Sequence, residues 1–325
     1  MADSATRDGL AGLDLSVVIP VFNEESNLDE LVRRCVQTCD ALGCRYELIL
    51  VDDGSADGSP AKLEKAIEMH PGRIVSVLLN RNYGQHAAVL AGLEESRGAV
   101  VITLDADLQN PPEEIRTLYE KIAEGYDVVG SVRTPRNDSL FRRLSSALTN
   151  RMVRAATGVD MHDYGCMLRA YRRPIVAAML QCPERSTFIP VLANSLARST
   201  AEVSVRHDAR ASGESKYDLL KLVSLQFDLV TSMSTFPLRL LSIGGVISAA
   251  LGIGFGALIL VLRLVLGSAW ASQGVFTLLA ILFIFIGAQF VGMGLLGEYL
   301  GRVYQNVQAR PRYFVARVAG RGAPQ

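Results

Sequence analysis

Two aspartates one residue apart follow an apolar segment in VVITLDADLQNPPEEI, residues 100–115. Side chains two apart on a strand or its extension share a face, so the carboxylates of Asp105 and Asp107 can converge on one point. Oxygen ligands suit a hard divalent cation such as Mg²⁺ or Mn²⁺, and such a cation often also holds a nucleotide diphosphate. The pair therefore predicts a metal site, although an Asp-x-Asp alone also occurs in solvated turns.

Three more polar clusters follow β-rich segments in the first half of the chain. They are residues 23–24 after LSVVIPV, residues 52–53 at the end of YELILVDD, and residues 80–85 after IVSVLLN. These segments, with AVVITLD and YDVVGSV, alternate with helical patterns, which predicts an α/β fold with a parallel sheet and helices on both faces. Because ligands of such sheets bind at the carboxyl ends of the strands, the clusters are expected to form one nucleotide site.

Several classes of protein are disfavoured by the motifs and the composition. Neither G-x-G-x-x-G nor G-x-x-x-x-G-K-[ST] follows the first predicted strand, which argues against a dinucleotide oxidoreductase and a P-loop NTPase. The net charge is zero, so no nucleic-acid partner is expected. The five cysteines lack C-x-x-C spacing, which argues against a zinc site or a disulfide framework.

Two long uncharged runs indicate a membrane protein. Hydrophobic residues make up 49% of the 325 residues, and no charged residue occurs from Leu240 to Leu262 or between Arg263 and Glu298. About 20 uncharged residues suffice to cross roughly 30 Å of hydrocarbon, so residues 238–298 are predicted to form a two-helix transmembrane hairpin. A buried helical hairpin of a soluble protein is the alternative.

The basic residues around this hairpin predict its orientation. Arg239 precedes the first span and four arginines follow the second, at positions 302, 310, 312 and 317, whereas Arg263 alone lies at the far end. The positive-inside rule therefore places both termini in the cytoplasm. Residues 1–14 form a polar tail without an apolar core, so no secretory signal is expected and the predicted α/β domain is expected to stay cytoplasmic.

Two additional helices are candidates for the membrane interface. Residues 140–157 include LFRRLSSALTNRMVR, in which arginines alternate with apolar residues at helical spacing, and residues 217–234 directly precede the first span. Both patterns are typical of helices that lie in the plane of a membrane surface. Ordinary core-packing helices are the alternative.

The motifs PVFNEE, VDDGS, NRNYGQHAA, DADLQNPPEE, DYGCMLRAYRR and GESKY, followed by two C-terminal spans, resemble family 2 glycosyltransferases that load sugars onto polyisoprenyl phosphates. The resemblance covers nearly the whole chain and implies a GT-A, Rossmann-like domain over residues 15–216 and a cytoplasmic tail over 299–325. Stretches such as ERSTFIP and IGAQFVGMGLLGEYLGRVY look most like the bacterial group that transfers 4-deoxy-4-formamido-L-arabinose from UDP to undecaprenyl phosphate. Undecaprenyl-phosphate glucosyl- and mannosyltransferases share the early motifs and are the nearest alternative.

This resemblance implies an inverting enzyme of the bacterial inner membrane. Its partners would be a UDP-sugar, undecaprenyl phosphate and membrane lipid, and its cofactor would be Mn²⁺ or Mg²⁺. The enzyme would form a homo-oligomer, a tetramer by resemblance. The product would feed lipid A modification and so resistance to polymyxin and other cationic peptides.

A processive polysaccharide synthase would need a longer pore and a Q-x-x-R-W motif, but the only tryptophan is Trp270, between the spans. A transporter or anchor is disfavoured because the spans contain no ionisable residue to form a substrate path.

The resemblance also assigns donor-side roles. It implies a metal and diphosphate shell of Asp105, Asp107 and Gln109, uridine contacts from Pro20, Phe22 and Glu24, and recognition of the uracil edge by Asp53. A carboxylate can accept the uracil imide hydrogen, although one of the two aspartates in VDDGS could instead only cap the turn. In NRNYG, Arg81 is expected to reach the diphosphate and Gly84 to allow a close approach of the backbone, whereas His86 is expected to pack or cap a helix.

On the acceptor side, Arg133 and Arg136 follow the fifth strand, where a lipid phosphate must arrive. Guanidinium groups suit phosphate oxygens, although a solvated basic loop is the alternative. The resemblance adds Arg210 and Lys216 as acceptor contacts and makes Asp163 the family's proposed base, so that Asp107, Asp163 and Arg133 are the expected catalytic residues. A phosphate monoester has a second pKa of about 6, which leaves a base little proton to remove. Asp163 is therefore alternatively expected to orient the acceptor or to hold Arg169.

Overall fold

The computed structural model describes residues 12–134, 163, 165–182, 188–207, 236–266, 275–308 and 311–321. The chain divides into two compact units, Met1–Val223 with Arg310–Gln325, and Ser224–Ala309. The first unit contains a sheet covered by helices, and the second contains two long helices. The expected interfacial helices, 140–157 and 217–234, lie outside the described residues.

The described part of the first unit contains one eight-stranded sheet. Its strands are β1 (Leu15–Val21), β2 (Tyr46–Asp52), β3 (Ile74–Leu79), β4 (Val100–Thr103), β5 (Val128–Thr134), β6 (Arg169–Arg172), β7 (Thr200–Arg206) and β8 (Val315–Ala319). Their order across the sheet is β7-β5-β6-β4-β1-β2-β3-β8. All five predicted strands are present, because each is a run of β-branched and aliphatic residues that the sheet buries.

The sheet is mixed, which corrects the prediction that it is parallel. β1 to β4 are parallel, but β6 runs antiparallel to both β4 and β5, and β8 runs antiparallel to β3. Both reversed strands escaped sequence reasoning because neither forms a continuous apolar run. β6 has four residues with two arginines, and β8 is an edge strand whose residues are partly exposed.

Helices cover both faces of the sheet, as predicted. They are α1 (Glu25–Leu42), α2 (Ser59–Met69), α3 (Gln85–Glu95), α4 (Ile115–Ala123), α5 (Arg173–Gln181) and α6 (Ile189–Leu196). Apolar residues of α1, α2 and α4 pack with one face of the sheet, and those of α3, α5 and α6 pack with the other. The two apolar layers fix the sheet between the helices, so the loops at its carboxyl edge start from rigid elements.

The C-terminal tail contributes to this sheet, whereas sequence reasoning treated residues 299–325 as a peripheral tail. The backbone N–H of Asn80 donates to Phe314 O at 3.2 Å, and Arg317 forms an ion pair with Glu64 at 2.9 Å. Tyr313 Oη donates to Glu94 Oε2 at 2.5 Å. β8 is therefore anchored to β3, α2 and α3.

The second unit consists of α7 (Phe236–Leu266) and α8 (Val275–Val307). Each contains a window apolar and long enough to cross a membrane, Leu240–Leu258 and Ile284–Gly301, and neither window is buried within the chain. A Cβ on Gly252 would lie 3.6 Å from the Phe285 ring, so small residues permit a close approach of the two helices. Length, composition and exposure favour a membrane-associated protein.

Candidate active site

Four loops at the carboxyl ends of β1 to β4 surround one cavity of about 290 Å³. The lining residues are Pro20, Val21, Phe22, Glu24, Asp53, Asn82, Gly84, Gln85, Asp105, Ala106 and Asp107. Seven of the predicted donor-side residues, Gly84 among them, are therefore brought together by the fold. Two others, Arg81 and Gln109, do not line this cavity.

Asp105 and Asp107 enter the cavity from the segment after β4. Ala106, between them, is 4% exposed and packs into the core, so the two aspartates lie on the opposite side of the segment. The backbone N–H of Gln109 donates to Asp107 Oδ1 at 3.1 Å. Leu108 has a φ of 60°, an uncommon conformation for a branched residue that sharply turns the chain after Asp107.

The electrostatics of this pair favour a cation. Burial, together with the negative charge of Asp107, raises the pKa of Asp105 to about 7, while Arg133 and a hydrogen bond from Gln85 act in the opposite direction. Carboxylate oxygens fit Mg²⁺ or Mn²⁺. Among the described residues no group of three or more His, Cys, Asp or Glu side chains could hold a metal, so a cation here would take its remaining ligands from phosphate or water.

The loops after β1 and β2 are fastened to each other by hydrogen bonds. Asn23 has a φ of 56°, and its side-chain Oδ1 accepts from Ala56 N at 2.9 Å while its N–H donates to Ser55 Oγ at 2.9 Å. The N–H of Glu24 donates to Ser59 Oγ at 3.1 Å. Sequence reasoning missed these bracing residues, although a turn-forming Asn opposite a Ser-rich turn was a usable signal.

The two aspartates of VDDGS have different partners. Asp52 accepts the N–H of Ser55 at 3.3 Å, which is the turn-capping role that sequence reasoning allowed for one of them. Asp53 accepts the N–H of Tyr83 at 2.7 Å with Oδ1 and that of Gly84 at 2.8 Å with Oδ2. Asp53 therefore holds the 80–85 loop against the end of β2, in addition to lining the cavity.

Three neighbours in the 80–86 segment lie in different environments. Arg81 is exposed and its guanidinium stacks 4.9 Å above the Tyr83 ring. Gln85 lines the cavity, and its Nε2 donates to Asp105 Oδ1 at 2.6 Å. His86 packs edge-on against Phe188 at 5.2 Å, and burial lowers the pKa of its ring, in keeping with a packing role.

The buried carboxylate of Asp163 forms an ion pair with the partly exposed Arg133. Its Oδ2 accepts from Arg133 Nε at 2.8 Å and its Oδ1 from Nη2 at 3.0 Å, and the side chains are 2% and 30% exposed, respectively. Such a two-bond contact fixes the plane of the guanidinium. The fully buried Arg169 donates to the backbone oxygens of Asp163 at 2.6 Å and Cys166 at 2.9 Å. The other predicted acceptor residues, Arg136, Arg210 and Lys216, lie outside the described residues.

Buried side chains also hold the segment that follows Asp163. Thr103 Oγ1 donates to Met167 O at 2.5 Å, and Ser131 Oγ donates to Leu168 O at 2.7 Å. Together with Arg169, these residues restrain the backbone that carries Asp163. Arg133 influences the pKa of Asp105, so the ion pair lies within electrostatic reach of the cavity.

Residues 16–180, which contain the cavity and the Arg133–Asp163 pair, match the sequence pattern of Glycosyl transferase family 2. The chain belongs to this family. It is a glycosyltransferase with a GT-A-like mixed sheet, as the resemblance implied.

Relatives of this glycosyltransferase match along almost their whole length. A protein of Edwardsiella ictaluri is 58% identical over 310 residues, 95% of each chain, and one of Pseudomonas paraeruginosa is 61% identical over 310 residues, 95% of this chain and 91% of the relative. Both are named undecaprenyl-phosphate 4-deoxy-4-formamido-L-arabinose transferase. The resemblance to that bacterial group is thereby confirmed.

Solved structures of other proteins are more distant from this glycosyltransferase. Glucosyl-3-phosphoglycerate synthase from Mycobacterium tuberculosis, in complex with Mn²⁺, UDP and phosphoglyceric acid, is 20% identical, with a TM-score of 0.48 over 69% of this chain and 78% of that chain. The fold assignment therefore depends on the family match and on the order of the strands.

Proposed function

We propose that this glycosyltransferase transfers 4-deoxy-4-formamido-L-arabinose from UDP to undecaprenyl phosphate. The observation that carries the proposal is the 58–61% identity, over about 95% of the chain, to relatives with that name. The cavity at the carboxyl edge of the sheet supports a nucleotide donor, because parallel strands of α/β sheets present ligands at this edge. The remaining steps assign roles to particular residues.

The uridine is proposed to bind beside the end of β1. Phe22 is 46% exposed at the cavity, which suits an aromatic ring that packs against a base or ribose. Pro20 and Glu24 line the same wall, and Glu24 would accept a ribose hydroxyl. Asp53 would accept the uracil imide hydrogen with lone pairs that its two backbone hydrogen bonds leave available.

Asp105 and Asp107 are proposed to hold a divalent cation, Mn²⁺ or Mg²⁺, against the diphosphate. When bound, the cation would neutralise the charge that develops on the leaving diphosphate. Asp107 is held by the backbone of Gln109, which thereby belongs to the same shell. Arg81, which is exposed and stacks on the Tyr83 ring, is also proposed to contact the diphosphate.

The acceptor phosphate is proposed to bind at Arg133, with Arg136, Arg210 and Lys216 as additional cationic contacts. Asp163 would orient Arg133 for this task, because both of its oxygens accept hydrogen bonds from that guanidinium. The acceptor phosphate is largely ionised at neutral pH, since its second pKa is about 6, so transfer needs little help from a base. Attack of the phosphate oxygen on the anomeric carbon, opposite to the departing UDP, would invert the configuration.

We also propose that α7 and α8 span the bacterial inner membrane, with the catalytic domain and both termini in the cytoplasm. The fold supports an even number of crossings, because the chain enters the hairpin from the sheet domain and re-enters the same sheet as β8. A Cβ on Gly297 or Gly301 would meet no atom of the described residues within 4 Å. This small-residue face would suit contact with further copies in a homo-oligomer, a tetramer by resemblance.

The product is proposed to feed lipid A modification. The formamido group itself is neutral, so its formyl group would have to be hydrolysed to leave a 4-amine that is protonated at neutral pH. That positive charge on lipid A would offset the negative charge of the outer membrane and reduce binding of polymyxin and other cationic peptides.

Transfer by the purified full-length protein tests the proposed reaction. The assay contains Mn²⁺, undecaprenyl phosphate and, separately, UDP-linked 4-formamido-arabinose, UDP-glucose and other UDP-hexoses, and lipid-linked product is followed by mass spectrometry. Product from the formamido-arabinose donor alone is expected. Product only from a hexose donor would keep the reaction class and contradict the proposed sugar, whereas no product from any donor would contradict the proposed reaction.

A further inference from the structure

Gln85 connects the start of α3 to Asp105 in the donor cavity. It is the first residue of α3, its side chain lines the cavity, and its Nε2 donates to Asp105 Oδ1 at 2.6 Å. Sequence reasoning noted the 80–85 segment but assigned no role to this residue. A neutral amide donor can restrain a carboxylate without competing with a cation for its charge, unlike a lysine or arginine.

The backbone just before Gln85 is fixed by the carboxylate of Asp53, which follows β2. Gly84, with a φ of 95°, adopts a conformation that favours glycine, and its N–H and that of Tyr83 donate to the two oxygens of Asp53. Gly54 packs against the same loop, because a Cβ there would lie 2.5 Å from the carbonyl carbon of Arg81. The start of α3 is therefore attached to the end of β2.

The Asp105 carboxylate needs such a restraint. It lies beside Asp107 in a half-buried site, where like charges repel, and the single amide hydrogen bond fixes one of its oxygens. Partners that orient metal-binding carboxylates commonly affect metal affinity strongly.

We infer that Gln85 is a positioning residue, which holds Asp105 in the orientation needed for the divalent cation. Because Asp53 fixes the loop that precedes Gln85, it also supports this orientation. The inference rests on the proposed metal site and adds the residue that prepares it. Gln85 is not expected to contact the nucleotide base or the acceptor.

Mn²⁺ binding to the full-length enzyme in detergent tests this role. Free Mn²⁺ is measured by electron paramagnetic resonance at saturating UDP, and UDP binding without metal is measured by calorimetry, for wild type, Gln85→Ala and Gln85→Asn. Gln85→Asn keeps the amide but shortens its reach. Gln37→Ala, which removes an exposed glutamine from α1, is the matched control.

We expect both Gln85 variants to bind Mn²⁺ about 10- to 100-fold more weakly, the effect usual for partners of metal ligands. Metal-free UDP affinity and the unfolding temperature should stay at wild-type values, because only the preparation of the metal site changes, and half-maximal transfer should need a correspondingly higher Mn²⁺ concentration. Gln37→Ala should match wild type in every measurement.

Two results would overturn the role of Gln85 without contradicting the proposed metal site. One is wild-type Mn²⁺ affinity in both variants, and the other is a loss of metal-free UDP affinity as large as the loss of Mn²⁺ affinity, which would mean that Gln85 contacts the nucleotide. A failure of the proposed metal site has a different signature. In that case wild type itself would show no UDP-dependent Mn²⁺ binding, or Asp107→Asn would retain it, and the proposed site would fall together with the positioning role.

Discussion

At the residue scale, the Asp-x-Asp pattern of Asp105 and Asp107 corresponds to two carboxylates that line the same cavity. Both lie just beyond the end of β4, whereas Ala106 between them is buried in the core. The raised pKa of Asp105 shows that nearby positive charge does not fully offset burial and repulsion. A divalent cation would supply the missing charge.

Asp107→Asn should abolish the use of that cation. The amide keeps the shape of the side chain but removes one of two carboxylates, so we expect turnover to fall by roughly 100-fold or more. Transfer measured across a Mn²⁺ titration checks this, with thermal unfolding as the control for folding. Full turnover at ordinary Mn²⁺ concentration would contradict the assignment of Asp107 as a ligand.

Asp163→Asn should lower turnover and leave the affinity for UDP unchanged. The variant loses the charge that fixes Arg133, and a misplaced catalytic group can lower turnover by roughly 100-fold, while the donor cavity keeps its lining residues. Calorimetric UDP titration and single-turnover transfer check the two halves of this prediction. Loss of UDP affinity would place Asp163 on the donor side and reject its orienting role.

At the scale of elements, the sequence predicts what depends on continuous apolar runs. β1 to β5 are such runs, and the polar residues that follow the first four meet at one edge because parallel strands share a direction. β6 and β8 could not be read in the same way, since a short strand rich in arginine and an exposed edge strand depend on their neighbours. The cross-bracing by Asn23 and the Asp53 contacts likewise depend on which loops the sheet brings together.

Gly320→Ala tests the anchoring of β8. Gly320 has a φ of 86°, and a Cβ would run into the backbone oxygen of Ile74. Gly43 has a φ of 66° but open space around it, so Gly43→Ala measures the effect of the left-handed backbone alone, about 1 kcal/mol. Thermal unfolding should show a clearly larger loss for Gly320→Ala, and equal losses would contradict the close contact of β8 with β3.

At the scale of the whole molecule, the path of the chain bears on the proposed membrane topology. The chain returns after α8 to the same sheet as β8, so both ends of the proposed transmembrane hairpin would emerge on one side of the membrane. The basic residues around the hairpin point to the cytoplasmic side. The sequence predicted two long apolar helices, which the structure contains, but not the return of the chain as β8, and the orientation of the hairpin stays a prediction.

Cysteine labelling tests this topology. With the five native cysteines as the reference background, Ser272→Cys between the two helices should react with a membrane-impermeant maleimide in intact spheroplasts, because that loop would face the periplasm. Cysteines introduced at Ser4 and Gln325 should react only after the cells are opened. Labelling of either terminus in intact spheroplasts would contradict the two-span arrangement.

The central claim is that the cavity over Asp105 and Asp107 is the donor site. A cryo-electron microscopy map of the full-length enzyme with UDP and Mn²⁺ tests it most directly. We expect uridine density between Phe22 and Asp53, with the cation between Asp107 and the diphosphate. Nucleotide density elsewhere, or a cation that does not contact Asp107, would contradict the claim.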